Sequence, residues 1–238
     1  MARTIPASRF QELVETATRI FIAQGYRRTQ MADVASAMSI GKGTIYGYVE
    51  SKAALFQYTL EHCDDSKPIE PPALLPIPTP PVGATLSFFQ EKMATDGSVP
   101  KLALALDRAT PPPASGGIAG EIEGIFAELY GLLHANHRGI RLMESCALDH
   151  PELADHWHDE GRYAYVELLA SYLDQRGASG ALTLVADSSA VGRFVVETIT
   201  TWAVHIHFDP SPQALPRETT ERLVMHFLRS GLLRTEDC

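Results

Sequence analysis

The stretch that decides the fold is Thr29-Gln30-Met31-Ala32-Asp33-Val34-Ala35-Ser36-Ala37-Met38-Ser39-Ile40-Gly41-Lys42-Gly43-Thr44-Ile45-Tyr46-Gly47-Tyr48-Val49. Met31, Val34, Ala35 and Met38 recur at three- and four-residue steps, which predicts a short helix with one buried side and Thr29 as its N-cap. Ser39-Ile40-Gly41 is a turn, and a further short helix is expected from about Lys42 to Val49. Two short helices joined by so tight a turn suggest a helix-turn-helix, whose second helix enters a major groove. Ala35 is small enough for the helix crossing, Ile40 can anchor the turn and Ile45 faces inward. The opposite face presents Lys42, Thr44, Tyr46 and Tyr48, hydroxyls and a cation that can bond phosphate oxygens and base edges. Tyr46 and Tyr48 could equally cap the core of this unit.

Working outward, the upstream segment predicts a helix over about 8–24. Ser8 and Gln11 have capping-box spacing, Phe10, Leu13, Val14, Ala17, Ile20 and Phe21 make one apolar stripe, and Gly25 is the expected stop. Downstream, Ser51 caps a helix beginning at Lys52 with Ala54, Leu55 and Tyr58 on its apolar side. Between Lys67 and Pro81 stand seven prolines (68, 71, 72, 76, 78, 80 and 81), which a helix interior cannot accommodate. This segment is expected to be an extended connection or long loop. Helical periodicity resumes at about 82–96, 99–109, 118–136, 138–149, 152–176, 187–208 and 217–233, with no β alternation worth the name. The expected architecture is all-α: a helix-turn-helix head (1–52), a connecting helix (53–66), a Pro-rich linker (67–81) and a larger helical body (82–238).

Charge divides along the same line. Residues 1–60 hold seven Lys/Arg against four acids, a net of +3, while the remainder carries −12, giving −9 for the 238 residues. A basic head on an acidic body fits a small polyanion-binding module. With 45% hydrophobic and 21% charged residues the composition is that of a globular chain. No apolar run is long enough to span a bilayer. Arg3, Arg9, Glu12, Glu15 and Arg19 interrupt the apolar residues of the first segment, unlike a secretory signal. The three cysteines, Cys63, Cys146 and Cys238, have neither disulfide-framework nor zinc spacing. A reduced, cytoplasmic protein is expected.

The segments 29–35 and 40–49, followed by Glu50-Ser51-Lys52-Ala53-Ala54-Leu55 and preceded by Ala17, Phe21 and Gly25-Tyr26, resemble the N-terminal domain of TetR/AcrR-family transcriptional regulators. The resemblance covers residues 8–60, about a quarter of the chain. It implies binding of double-stranded DNA at a near-palindromic operator. Thr29 with its neighbours Arg28 and Gln30 would lie at the helix start that meets a phosphate. Lys42, Gly43 and Thr44 would lie near base edges, Tyr46 and Tyr48 against the DNA backbone, and Lys52 would reach a phosphate. Three positions depart from the family pattern: Ser39 replaces the usual turn glycine, Gly41 the usual serine cap and Val49 the usual phenylalanine. Ser39 must then adopt a conformation that glycine takes more easily.

A recognition helix of about seven residues spans roughly 10 Å, so specificity calls for two copies and hence a homodimer. The resemblance implies a four-helix bundle from the last two helices of each subunit, with Val191, Phe194, Val195, Thr198, Trp202, Leu223, Val224 and Phe227 as candidates. An internal core stripe would have the same periodicity. The resemblance also implies an effector cavity in the body. Phe88, Phe89, Met93, Phe126, Tyr130, Met143, Trp157, Tyr163 and Trp202 are candidates for its lining, although aromatics at helical spacing are more often plain core.

The expected function is a ligand-responsive DNA-binding regulator, a repressor released by a small effector; the alternative is an effector-independent regulator or architectural protein. No cofactor or metal is expected. His134 and His137 share a helix face, but neither a His-Glu-x-x-His nor a paired-cysteine spacing is present. Enzymatic readings fail on spacing: Gly41-Lys42-Gly43-Thr44 lacks the rest of a phosphate loop, and Gly177-Ala178-Ser179-Gly180 is one residue short of a nucleophile elbow.

Overall fold

The computed structural model describes residues 6–96, 100–108, 117–149, 161–210 and 215–233. Among them every regular element is helical, and the sole β feature is an isolated parallel bridge between Val49 and Ile77. The chain forms two compact units, one of residues 1–91 with 138–154, the other of 92–137 with 155–238. The all-α expectation holds. Of the stretch 82–238, residues 82–91 and 138–149 lie in the first unit.

In the first unit α1 (Ala7–Arg28), α2 (Met31–Ala37), α3 (Lys42–Ile45) and α4 (Lys52–His62) make the head. Its core holds the predicted Phe10, Leu13, Ala17 and Phe21 of α1, Val34 of α2, Ile45 of α3 and Leu55 of α4, together with Phe56 of α4, which the periodicity did not mark, all at most 1% exposed. Phe10 meets Tyr48 and Tyr58 edge-on at 5.6 and 6.4 Å, and Phe21 meets Phe56 at 5.3 Å. Such aromatic contacts stabilise beyond simple area burial. The Tyr58 hydroxyl is buried with no hydrogen-bond partner among the described residues, and burial pushes its pKa up to about 12.

Three local expectations are corrected. The cap of α1 is Pro6, not Ser8; Gln11 instead donates to Glu15 and accepts from the Ile69 N–H. Gly25 does break α1, with φ +76°, but a further turn follows to Arg28. The cap of α2 is Gln30 rather than Thr29, and the Asp33 carboxylate accepts from the Gln30 N–H at 2.9 Å. Thr29 is buried, its hydroxyl donating back to the Gly25 carbonyl at 2.7 Å, so it closes α1 instead of opening α2.

Helix α5 (Ala84–Asp96) follows the Pro-rich segment, and the first unit also takes in α8 (His137–Cys146) from Arg138 onward and a 3-10 turn (Ala147–Asp149). Asp64, just past α4, accepts from the Arg138 and Gly139 N–H groups at 2.9 and 2.8 Å. A side chain at Gly139 would sit 2.6 Å from that carboxylate, so the approach needs glycine. At the other end Asp149 accepts from the Arg27 N–H at 2.7 Å. The Asp64 carboxylate, on the first amides of α8, is doubly favourable, through the hydrogen bonds and the helix dipole.

The second unit packs α7 (Gly117–Ala135), α9 (Ala164–Ala178), α10 (Ser188–Ala203) and α11 (Arg217–Leu232) with the short α6 (Pro100–Leu106). Asp187 caps α10 by accepting from the Ala190 N–H. Ile122, Ile125 and Phe126 of α7, Leu169 and Leu173 of α9, and Val195 and Ile199 of α10 are buried at this centre. Beside them lies an ionic cluster. Arg176 is fully buried, donates from Nε to Glu121 at 2.8 Å, and donates from its terminal nitrogens to the carbonyls of Ala105 and Arg108 at 2.7 and 3.0 Å. Tyr172 donates to the same Glu121 oxygen.

Candidate nucleic-acid interface

The helix-turn-helix is held by its inner face. Val34, Ala35, Met38 and Ile45 are buried, and the Ile40 N–H donates to the Ala35 carbonyl at 2.9 Å to close the turn. Ser39 takes φ +55°, the positive-φ conformation expected from its place in the turn. Helix α3 is shorter than expected, Lys42–Ile45 rather than Lys42–Val49. Beyond Ile45 the Gly47 and Tyr48 N–H groups reach back three residues, to the carbonyls of Thr44 and Ile45, tightening the chain into a turn.

The outward edge carries Lys42, Gly43, Thr44 and Tyr46, all exposed, and Arg28 and Gln30 are exposed nearby in sequence. No heavy atom lies within 4 Å of a Cβ built at Gly43, so this edge is open. Tyr48 does not belong to it: the residue is 5% exposed and its ring lies against Phe10. The ammonium of Lys52 is likewise turned into the head, donating to the carbonyls of Tyr26, Arg27 and Thr29 at 3.0, 3.3 and 3.1 Å and lying 4.5 Å over the Tyr26 ring. A cation on the last carbonyls of α1 complements the negative end of that helix. Of the nine nominated residues, the structure therefore brings Lys42, Gly43, Thr44 and Tyr46 to one surface and turns Thr29, Tyr48 and Lys52 inward. Sequence reasoning missed Ile77 and Thr79 of the Pro-rich segment, whose backbone bonds to residues 48–50; the alternation of proline and non-proline from 76 to 81 was the available signal.

The residues nominated for an effector cavity are divided between the two units. Phe126 and Tyr130 are buried in the second unit, where the Tyr130 hydroxyl pairs with Thr220 at 2.8 Å and donates to the Trp202 carbonyl. Trp202 is half-buried and Tyr163 is exposed. Met143 is buried in the first unit. Phe88 is half-buried; Trp157 and the side chains of Phe89 and Met93 lie outside the described residues. A surface groove of about 410 Å³ between α7 and α11 is lined by Glu123, Glu218, Glu221, Arg222, Met225 and Arg229 among others, none of them nominated. On the nominated dimer face the structure separates two sets. Val191, Val195 and Val224 are buried within the protomer, whereas Phe194, Leu223 and Phe227 are 65%, 40% and 69% exposed; Thr198 lies between.

Folding gathers three histidines. His207 joins His134 and His137 with ring centroids 5.0 and 4.4 Å apart, and its Nε2 lies 3.2 Å from His134 Nδ1. Burial, then Arg217, His207 and His137, lowers the His134 pKa to about 4. Among the described residues no group of three His, Cys, Asp or Glu is arranged to hold a metal ion.

A buried helix-turn-helix core under an exposed polar edge, followed by a helical body, is the build of a DNA-binding transcriptional regulator. Residues 13–59 match the family described as bacterial regulatory proteins, tetR family. The solved ketosteroid transcriptional regulator KstR2 of Mycobacterium tuberculosis is 16% identical with a TM-score of 0.56, the match covering 98% of this chain and 100% of that one. A TetR-family member from Streptomyces coelicolor A3 is 18% identical with a TM-score of 0.53, over 93% of this chain and 91% of the other. A TetR-family regulator from Mesorhizobium loti is 15% identical with a TM-score of 0.50, over 97% and 100%. None of the curated proteins matches the chain. Residues 13–59 of the head thus match a tetR-family DNA-binding domain, and the chain as a whole shares the fold of these solved regulators. No helix among the described residues is long and apolar enough to cross a membrane.

Proposed function

We propose that the protein is a homodimeric repressor that leaves its operator when a small effector binds the helical body. The observation that carries this reading is the exposed edge Lys42, Gly43, Thr44 and Tyr46 over the buried core of the helix-turn-helix. Lys42 supplies charge for phosphate, Thr44 a hydroxyl that can donate or accept at a base edge, and Gly43 lets backbone and DNA approach closely. So short a recognition helix reads few base pairs, and a two-fold dimer doubles the site. Phe194, Leu223 and Phe227 support the dimer: large apolar side chains left exposed on α10 and α11 are costly in water unless a second copy covers them.

Release follows from linkage, since an effector shifts the DNA-competent population only as far as it binds one conformation more tightly than the other. Selecting bound duplexes from a random pool tests the reading in one step. The expected result is an inverted repeat, and operator affinity that drops when the matching effector is added from a small-molecule collection. Enrichment of no duplex, even in dilute salt, would remove the DNA-binding reading. Phe194→Asp with Phe227→Asp should yield monomers in sedimentation and single half-site binding.

A further inference from the structure

From Pro76 to Pro81 the chain reads Pro-Ile-Pro-Thr-Pro-Pro, so only Ile77 and Thr79 carry a backbone N–H. Both are donated to the same short piece of the head. The Ile77 N–H donates to the Tyr48 carbonyl at 2.8 Å, and the Ile77 carbonyl accepts from the Glu50 N–H at 2.9 Å. The Thr79 N–H donates to the Glu50 carboxylate at 2.8 Å, and the Thr79 hydroxyl bonds Ser51 Oγ at 2.8 Å. That Ser51 oxygen is also the N-cap of α4, accepting from the Ala54 N–H. Farther back, Ile69 is buried and its N–H reaches Gln11 of α1.

A segment that only spans a distance needs none of these bonds. Here the prolines hold φ near −65° and stiffen the segment, which lowers the entropy lost when it docks. They also leave donors at alternate positions, and these are taken by Tyr48 and Glu50.

What the strap grips is the exit of the recognition helix. Helix α3 spans four residues, too few to hold an orientation through its own hydrogen bonds. Ile45 and Val49 anchor it from the core, each 0% exposed. The strap fastens the same exit a second time, through Tyr48 and Glu50 on either side of Val49. Hydrogen bonds to base edges weaken steeply once distance or angle slips, whereas a cation near a phosphate tolerates displacement.

We propose that Ile77 and Thr79 are positioning residues for DNA recognition: the Pro-rich strap sets the orientation of α3, so that base reading, rather than phosphate binding, depends on it. The inference rests on the reading above that the edge of α3 meets base edges.

The test uses the full chain with two duplexes, one selected by the wild-type protein from a random pool and one scrambled to the same composition. Ile77→Pro removes the Ile77 N–H, Thr79→Val removes the hydroxyl bond to Ser51, and Ile77→Val keeps both backbone groups of Ile77. Ile77→Pro and Thr79→Val are expected to bind the selected duplex about tenfold more weakly, about 1.4 kcal/mol. Affinity for the scrambled duplex and the salt slope should stay within twofold, and Ile77→Val should match the wild type. Repeating the selection with Thr79→Val should return a more degenerate half-site. An equal loss on both duplexes that follows a lowered melting temperature would reduce the strap to a structural brace. Undiminished discrimination by both Ile77→Pro and Thr79→Val would overturn the proposal. A wild-type protein that enriches no duplex would overturn the DNA reading beneath it, and that outcome is visible before any variant is made.

Discussion

Lys52 has three N–H donors, and three carbonyls of the α1 terminus lie within 3.3 Å of them. The family resemblance implies a phosphate contact for this residue; in the fold its ammonium is a clasp between the start of α4 and the end of α1. Lys52→Met should therefore lower the unfolding free energy by about 1–3 kcal/mol, the usual worth of hydrogen bonds from a charged group. Its DNA affinity should fall only as far as the loss of folded head explains. A salt slope reduced by about one would instead restore the phosphate role. Ser39, with φ +55°, is in the left-handed region where a side chain costs about 1–2 kcal/mol and glycine costs little beyond its extra unfolded-state entropy. Ser39→Gly should raise the melting temperature, by a stability gain of about 0.5–1 kcal/mol.

Among the elements, α6 shows how one buried charge fixes a helix. Its seven residues, Pro100–Leu106, cannot be stable alone, and Arg176 of α9 takes the carbonyls at and beyond its C-terminal end while pairing with Glu121 of α7. Arg176→Met leaves the Glu121 carboxylate buried and those carbonyls bare. Urea unfolding should show a loss of about 3–5 kcal/mol. Adding Glu121→Leu should recover part of it, because the uncompensated charge is then gone. Helix α3 makes the complementary point. Its periodicity continues to Val49, yet the helix stops at Ile45 because Tyr48 and Val49 are drawn into the head's core and the strap takes up the backbone at Tyr48 and Glu50.

At the scale of the whole molecule, three histidines from separate segments meet in the second unit and make its stability sensitive to acid. The His134 pKa is lowered to about 4, so the folded protein keeps this ring neutral where the unfolded chain, titrating near 6.5, takes up a proton. The neutral ring's contribution is complete above pH 6.5 and is lost progressively as pH falls toward 4. His207 is shifted in the same direction by burial and His137. Thermal melts across this window should fall more steeply for the wild type than for His134→Gln. The difference should be on the order of 1 kcal/mol, less than the full shift implies because the ring is partly solvated.

The head was legible because its information is local. A turn, a cap and an apolar residue every three or four positions are written within sixty consecutive residues, and the buried set Phe10, Leu13, Phe21, Val34, Ile45 and Leu55 is the one the periodicity marks. The same kind of stripe on α10 and α11 could not say which of its residues face inward, since period alone has no partner in it. Folding buries Val195 and Val224 and leaves Phe194 and Phe227 in water. By itself the sequence determined helix content, the helix-turn-helix and its exposed cationic and hydroxyl edge, all consequences of hydrogen bonds and burial between near neighbours. Only the tertiary structure decided that Lys52 turns inward, that the Pro-rich segment binds the exit of α3 and that His207 reaches His134. Each of these joins groups more than twenty residues apart, and their meeting is settled by packing.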